Sequence, residues 1–144
     1  MIVLDTNVIS EFMRKRPESQ VINWLDMQPA ESIWTTAISV YEIRFGLEML
    51  DDGARKKQLQ DIFKTVISHD LSNRVLDFDN TAANEAALIS ANGRNTGRSI
   101  EIRDALIAGL VRSRRAALAT RNVKHFENTG ITVINPWDFV ISQS

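Results

Sequence analysis

Met1-Ile2-Val3-Leu4-Asp5-Thr6-Asn7 is the stretch that decides the fold. Ile2 to Leu4 is short and wholly apolar, the pattern of a strand buried on both faces. A carboxylate ends it, and Thr6 or Asn7 can cap a helix running toward Arg14. The same rhythm repeats along the chain. A helix is predicted from Glu18 to Met27, with Val21, Trp24 and Leu25 on one side, then a strand from Ser32 to Thr35. Helices are predicted over Ala37–Leu50 and Ala54–Ser68, followed by a strand over Val75–Phe78. A helix over Thr81–Asn92 is expected to stop near Gly93 and Gly97. The helix Arg103–Arg114 and the strands Ala116–Thr120 and Ile131–Ile134 complete the set. About five short strands alternating with helices define an α/β chain with a parallel sheet covered on both faces. Ligands of such sheets bind beyond the carboxyl ends of the strands, so the residues just after each strand are examined first.

Composition narrows the classes. The chain has 144 residues, 17 basic and 18 acidic, a net charge of −1, 44% hydrophobic residues and no cysteine. A domain of this length buries roughly 70% of its unfolded surface, so it needs no disulfide or zinc staple. Without cysteine it has no disulfide and no thiolate zinc site. No apolar run approaches the roughly 20 residues of a membrane span. The start meets an acid at position 5 with no basic leader, which does not read as a signal peptide. A soluble cytoplasmic domain spanning 1–144 is expected. The charge is not evenly spread. Residues 94–124 hold eight basic residues (Arg94, Arg98, Arg103, Arg112, Arg114, Arg115, Arg121, Lys124) against Glu101 and Asp104, leaving the rest of the chain acidic.

Several acids stand where acids are costly. Asp5 ends the first strand at the ligand-binding edge, although helix capping explains it equally well. On a helical wheel Ile38, Phe45 and Met49 form one apolar stripe, and Val40, Ile43, Leu47 and Leu50 another. Glu42 falls beside the first, with Arg44 and Glu48 on the polar face. A carboxylate there needs a partner, such as a buried arginine, or a ligand. Asp104 opens a helix at the edge of its buried face, where dipole complementarity is the simpler account. Glu101 shares that face if the helix starts early enough. Asn122, after the strand ending at Thr120, occupies a place equivalent to that of Asp5. Together these oxygen-rich side chains form a set that repels itself unless a cation or a proton intervenes. Oxygen donors without Cys or His suit Mg²⁺ or Mn²⁺, ions that typically handle phosphates.

These residues resemble the PIN-domain ribonucleases of the VapC type, toxins of bacterial toxin–antitoxin pairs, and within them the FitB-like branch. The matching blocks are Met1–Glu11, Ser39–Gly46, Asp104–Gly109, Ala119–Phe126 and Asn135–Trp137, in family order across the chain. Asp-Thr-Asn alone would be weak; five ordered blocks are specific. The resemblance implies a PIN-like three-layer sandwich and Mg²⁺-dependent hydrolysis of RNA, with Mn²⁺ as a possible substitute. It places the family's acids at Asp5, Glu42 and Asp104, with Asp5 and Asp104 binding the metal and Glu42 binding it directly or through water. The fourth acidic position falls on Asn122, which leaves three carboxylates and assigns Asn122 a supporting role. Thr6 and Thr120 match hydroxyls lining the acidic pocket. The resemblance further implies a tRNA or rRNA substrate, a VapB/FitA-like antitoxin, a homodimer or toxin–antitoxin hetero-oligomer, and contact with DNA only through the antitoxin.

Arg121 and Lys124, beside a strand end, are the candidates for phosphate contact. Arg112, Arg114 and Arg115 fit a helix C-terminus equally well, and Arg14-Lys15-Arg16 fits a solvated loop. Trp24, Trp34 and Trp137 suit packing better than base stacking. His69 and His125 lack metal-ligand spacing, and Asp77 and Asp79 suit helix capping. Two rival functions remain. A receiver-type phosphoacceptor or acyl-phosphate phosphatase would share the sheet, but the phosphatase expects a second Asp two residues after the first, where this chain has Asn7. A catalytically weak or inactive module that binds RNA or an antitoxin without cleavage is consistent with Asn122.

Overall fold

The computed structural model describes residues 1–141. Its five strands are β1 (Ile2–Leu4), β2 (Ile33–Thr36), β3 (Val75–Leu76), β4 (Ala117–Ala119) and β5 (Thr132–Ile134). All pair in parallel, in the order β3-β2-β1-β4-β5. The chain winds outward from β1 in one direction and then, from β4, in the other. The reversal between β1 and β4 opens a crevice at their carboxyl ends, the place where α/β sheets bind ligands.

Successive strand residues point to opposite faces, and the core divides accordingly. Leu4, Ile33 and Ala119 face one cluster with Val8, Ile9, Val21, Trp24, Ile43, Leu47 and Phe63. These come from α1 (Thr6–Phe12), α2 (Ser19–Asp26), α3 (Ala37–Glu48) and α4 (Ala54–Thr65). Val3 and Leu118 face the other cluster with Ala82, Ile89, Ile107, Leu110 and Val111, from α5 (Asn80–Asn95) and α6 (Ile102–Ser113). Sheet and helices therefore form the three layers expected.

Caps set the helix starts. Asp5 Oδ1 accepts the Thr6 N–H, Thr36 Oγ1 accepts the Ser39 N–H, and Asp79 Oδ1 accepts the Ala82 N–H. Asp79 is thus the cap foreseen. Three expectations need correction. Helix α5 ends at Asn95, between Gly93 and Gly97 as expected and with Gly97 left-handed at φ 72°, but three residues beyond the Asn92 expected. Gly93 is buried inside the helix, where a Cβ would lie 2.7 Å from the Arg98 carbonyl oxygen. Its small size lets the returning chain close, with the Arg98 N–H donating to the Gly93 carbonyl at 2.7 Å. The strand expected over Val75–Phe78 pairs only at Val75 and Leu76, because Asp77 and Asp79 belong to the turn that caps α5. Finally, Phe45 and Met49 do not line the core. With Tyr41 they form an exposed stripe on α3, and the buried face is Ser39, Ile43 and Leu47.

Candidate active site

The crevice between β1 and β4 is built around Asp5. Its N–H donates to the Ala119 carbonyl at 2.9 Å, which fixes the backbone where the strands part. Its side chain is fully buried. Oδ2 accepts the Thr120 hydroxyl at 2.8 Å, and Oδ1 accepts the Thr6 N–H at 2.8 Å. The Thr6 hydroxyl lies 2.9 Å from Glu42 Oε1, which accepts its proton, and 3.0 Å from Ser39 Oγ. Helix α3 thereby presents Glu42 toward Asp5. Helix α6 brings in Asp104, also buried, from its third residue. The two hydroxyls expected at Thr6 and Thr120 and the three expected carboxylates are all in one cluster.

At the centre of that cluster is Arg103. Its guanidinium donates through Nη2 to Asp5 Oδ1 at 2.5 Å, through Nε to Glu42 Oε1 at 2.9 Å and through Nη1 to Asp104 Oδ1 at 3.0 Å. Nη2 also reaches the Thr6 hydroxyl at 3.1 Å. Burial opposes its charge, but the hydrogen bonds to Glu42, Asp5 and Asp104 and the field of Asp5 outweigh that and hold it firmly protonated. One cation against three carboxylates leaves the cluster negative. The arginine partner considered for Glu42 is therefore present, although partly exposed rather than buried, and it serves all three acids.

The donor chemistry is that of a small hard cation: carboxylate and hydroxyl oxygens, with no sulfur. The spacing is wider. Among the described residues, no three His, Cys, Asp or Glu side chains stand close enough to cage an ion unaided. Asp5 and Glu42 both lie against Nη2, at 2.5 and 2.8 Å, and Asp104 lies against Nη1 at 3.0 Å, so the guanidinium fills the space between the three acids. The arrangement fits an ion such as Mg²⁺, which binds one or two carboxylates and keeps several waters.

A cleft of about 590 Å³ opens over the cluster, lined by Thr6, Asn7, Glu42, Arg103, Asp104, Arg121, Asn122, His125 and Trp137 among others. Asn122 stands exposed at its rim. Its N–H donates to Thr120 Oγ1 at 3.1 Å, and no hydrogen bond joins its side chain to the carboxylates among the described residues. Asn7 does more for this edge than its sequence position suggested. Its Nδ2 donates to Thr120 Oγ1 at 3.2 Å, and its Oδ1 accepts the Arg121 N–H at 3.1 Å. His125 Nδ1 lies 3.4 Å from Asp104 Oδ2. Glu101 precedes α6 as its N-cap and is exposed.

The basic segment divides by function. Arg112 pairs with Glu85 at 2.5 Å, and Arg114 with Asp79 at 3.0 Å. These two are committed within the fold, and Arg103 to the acidic cluster. Arg121 and Lys124 are exposed, with the Arg121 guanidinium 5.1 Å above the Trp137 ring. Trp24 and Trp34 pack in the two core clusters.

A parallel α/β sheet with carboxylates from β1, α3 and α6 meeting past its carboxyl edge defines a class, and comparison with known proteins gives the same class. The family model for the PIN domain matches residues 2–131. The VapC ribonuclease Y4jK of Sinorhizobium fredii is 38% identical, over 96% of this chain and 99% of its own. Toxin FitB of Neisseria gonorrhoeae is 35% identical, over 95% of this chain and 99% of its own. The crystal structure of FitAcB from the same organism superposes with a TM-score of 0.89 at 34% identity, covering 96% of this chain and all of the matched one. This chain belongs to the PIN-domain family, in its VapC and FitB branch.

Proposed function

We propose that this chain is a Mg²⁺-dependent ribonuclease acting as the toxin of a toxin–antitoxin pair. The observation that carries the proposal is the convergence of Asp5, Glu42 and Asp104 on one cation. Asp5 and Asp104 would bind the metal, with Mn²⁺ a possible substitute, and Glu42 would bind it directly or through water. When bound, the metal supplies charge stabilisation at the phosphate and a more acidic water. The chain supplies the rest. Thr120 and Thr6 hold Asp5 and Glu42 in place, and Glu42, the most exposed of the three acids at 31%, can orient a water at the cleft. Asn122 at the rim, through its amide, can support a substrate or that water.

The RNA backbone would lie across the rim, against Arg121 and Lys124. Each phosphate contact with single-stranded nucleic acid contributes about 0.7 to the slope of log K against log salt. Arg121→Ala with Lys124→Ala should therefore lower that slope by about 1.4, measured by RNA binding in EDTA. An unchanged slope would move the RNA path elsewhere.

Toxin FitB and the VapC ribonuclease supply the names toxin and ribonuclease, and the likeness to the FitAB structure supports a VapB/FitA-like antitoxin as partner. DNA contact would then come through the antitoxin alone. A homodimer or toxin–antitoxin assembly has an apolar surface available in the exposed Tyr41, Phe45 and Met49. No described helix is long and apolar enough to cross a membrane, and a cytoplasmic location suits an RNA substrate. A second reading, the inactive module that binds without cutting, draws support from Arg103 at the centre of the acids. Sequencing the new 5′ ends in total cellular RNA incubated with the protein and Mg²⁺ separates the two. A small set of discrete tRNA or rRNA ends is expected; no new ends would favour the inactive module.

A further inference from the structure

We infer that Arg103 is a built-in counter-cation that holds the carboxylate cluster in its metal-free state and must withdraw before a divalent ion can bind. The inference rests on the metal-dependent function proposed above. Three observations carry it. Arg103 bonds to one oxygen of each of the three carboxylates at once, using Nε, Nη1 and Nη2, so it occupies the space between them that an ion would need. The planar fork also fixes where those carboxylates stand, with Asp5 and Glu42 both against Nη2 and Asp104 against Nη1, and among the described residues no three acids are placed to hold an ion as they stand. And Arg103 can leave. Its side chain is 27% exposed, against 0% and 6% for Asp5 and Asp104, and it lines the open cleft.

The energetics point the same way. Three acids this close are unfavourable without a cation, so the metal-free fold needs Arg103. One positive charge leaves two negative charges over, so the cluster still attracts a dication. The two cations therefore compete for the same oxygens, and apparent metal affinity is reduced by the fraction of molecules in which Arg103 has withdrawn.

The test compares Mn²⁺ binding by calorimetry, and thermal unfolding in EDTA and in Mn²⁺, for the wild-type chain and Arg103→Ala. An open state populated at 10% or less means that removing Arg103 tightens Mn²⁺ binding by about tenfold or more. Arg103→Ala should also unfold at a lower temperature than wild type in EDTA, with the gap closing as Mn²⁺ is added. Arg103→Lys keeps the charge without the fork and should bind Mn²⁺ with intermediate affinity. If Arg103→Ala folds only with Mn²⁺, that rescue is the same result by another readout. Equal Mn²⁺ affinity in wild type and Arg103→Ala would overturn the counter-cation role and leave the metal-dependent function standing. Absence of Mn²⁺ binding in both would overturn that function as well, and make Arg103 a fixed structural ion pair.

Discussion

Asp5→Asn is expected to lower RNA cleavage by on the order of 10²–10³-fold, the scale of deleting one electrostatic partner of a charged transition state. The substitution is nearly isosteric. Its amide oxygen can still accept either the Thr6 N–H or the Thr120 hydroxyl, the two bonds that seat Asp5 at the end of β1. What is lost is the charge that faces Arg103 in the metal-free chain and would face a metal in the loaded one. The loss should therefore appear in the cleavage rate and in Mn²⁺ affinity, while thermal unfolding changes far less. Single-turnover cleavage of one RNA by both proteins, with their melting curves, makes the comparison. Wild-type cleavage by Asp5→Asn would remove Asp5 from the reaction.

Gly109→Ala is expected to destabilise the fold by roughly 1–3 kcal/mol, the usual cost of overfilling a tight core. Helices α5 and α6 pack closely at this point. A Cβ on residue 109 would lie 2.5 Å from the Ala86 backbone nitrogen and 2.6 Å from its Cβ. Neither atom is the movable end of a long side chain, so the helices must separate. The melting temperature should fall by about 3 °C for each kcal/mol at this chain length. The shift would also reach the site, because Asp104 and Arg103 ride on α6. An unchanged melting temperature would mean that the α5–α6 contact is looser than the structure has it.

The sheet was legible because its strands are short and largely apolar, and β1 and β4 are each followed by a polar residue, Asp5 and Thr120, that serves the site. Ile2–Leu4 and Asp5 carried that most clearly, since a strand and its terminal acid are neighbours in sequence. The pairing order, with β1 central, rests on contacts between residues far apart in the chain, and the alternation of elements does not specify it. Gly93 and Gly97 bracketed the end of α5, but only the path of Arg98 shows that Gly97 makes the stop while Gly93 admits a neighbouring backbone. Phe45 and Met49 misled for a related reason. A wheel locates an apolar stripe, but not whether the sheet, another molecule or water meets it.

The acids of the site were found by their cost. Asp5, Glu42 and Asp104 are carboxylates on otherwise apolar faces, which a sequence exposes directly. Arg103 escaped notice because it reads as one of eight basic residues in its segment, although a cation in the first turn of a helix opposes the dipole and was the signal that could have marked it. Only the convergence of β1, α3 and α6 makes it the cation that the acids share. Asn7 and His125 were equally hidden, since their partners, Thr120 and Asp104, come from other elements.

The central claim is that three carboxylates make this chain a metal-dependent RNA hydrolase. Cleavage of a single-stranded RNA by the wild-type protein, followed in Mg²⁺ and in excess EDTA, tests it most directly. The account predicts cleavage in Mg²⁺, none in EDTA, and recovery when Mg²⁺ or Mn²⁺ is restored. Cleavage at the same rate in EDTA would contradict it.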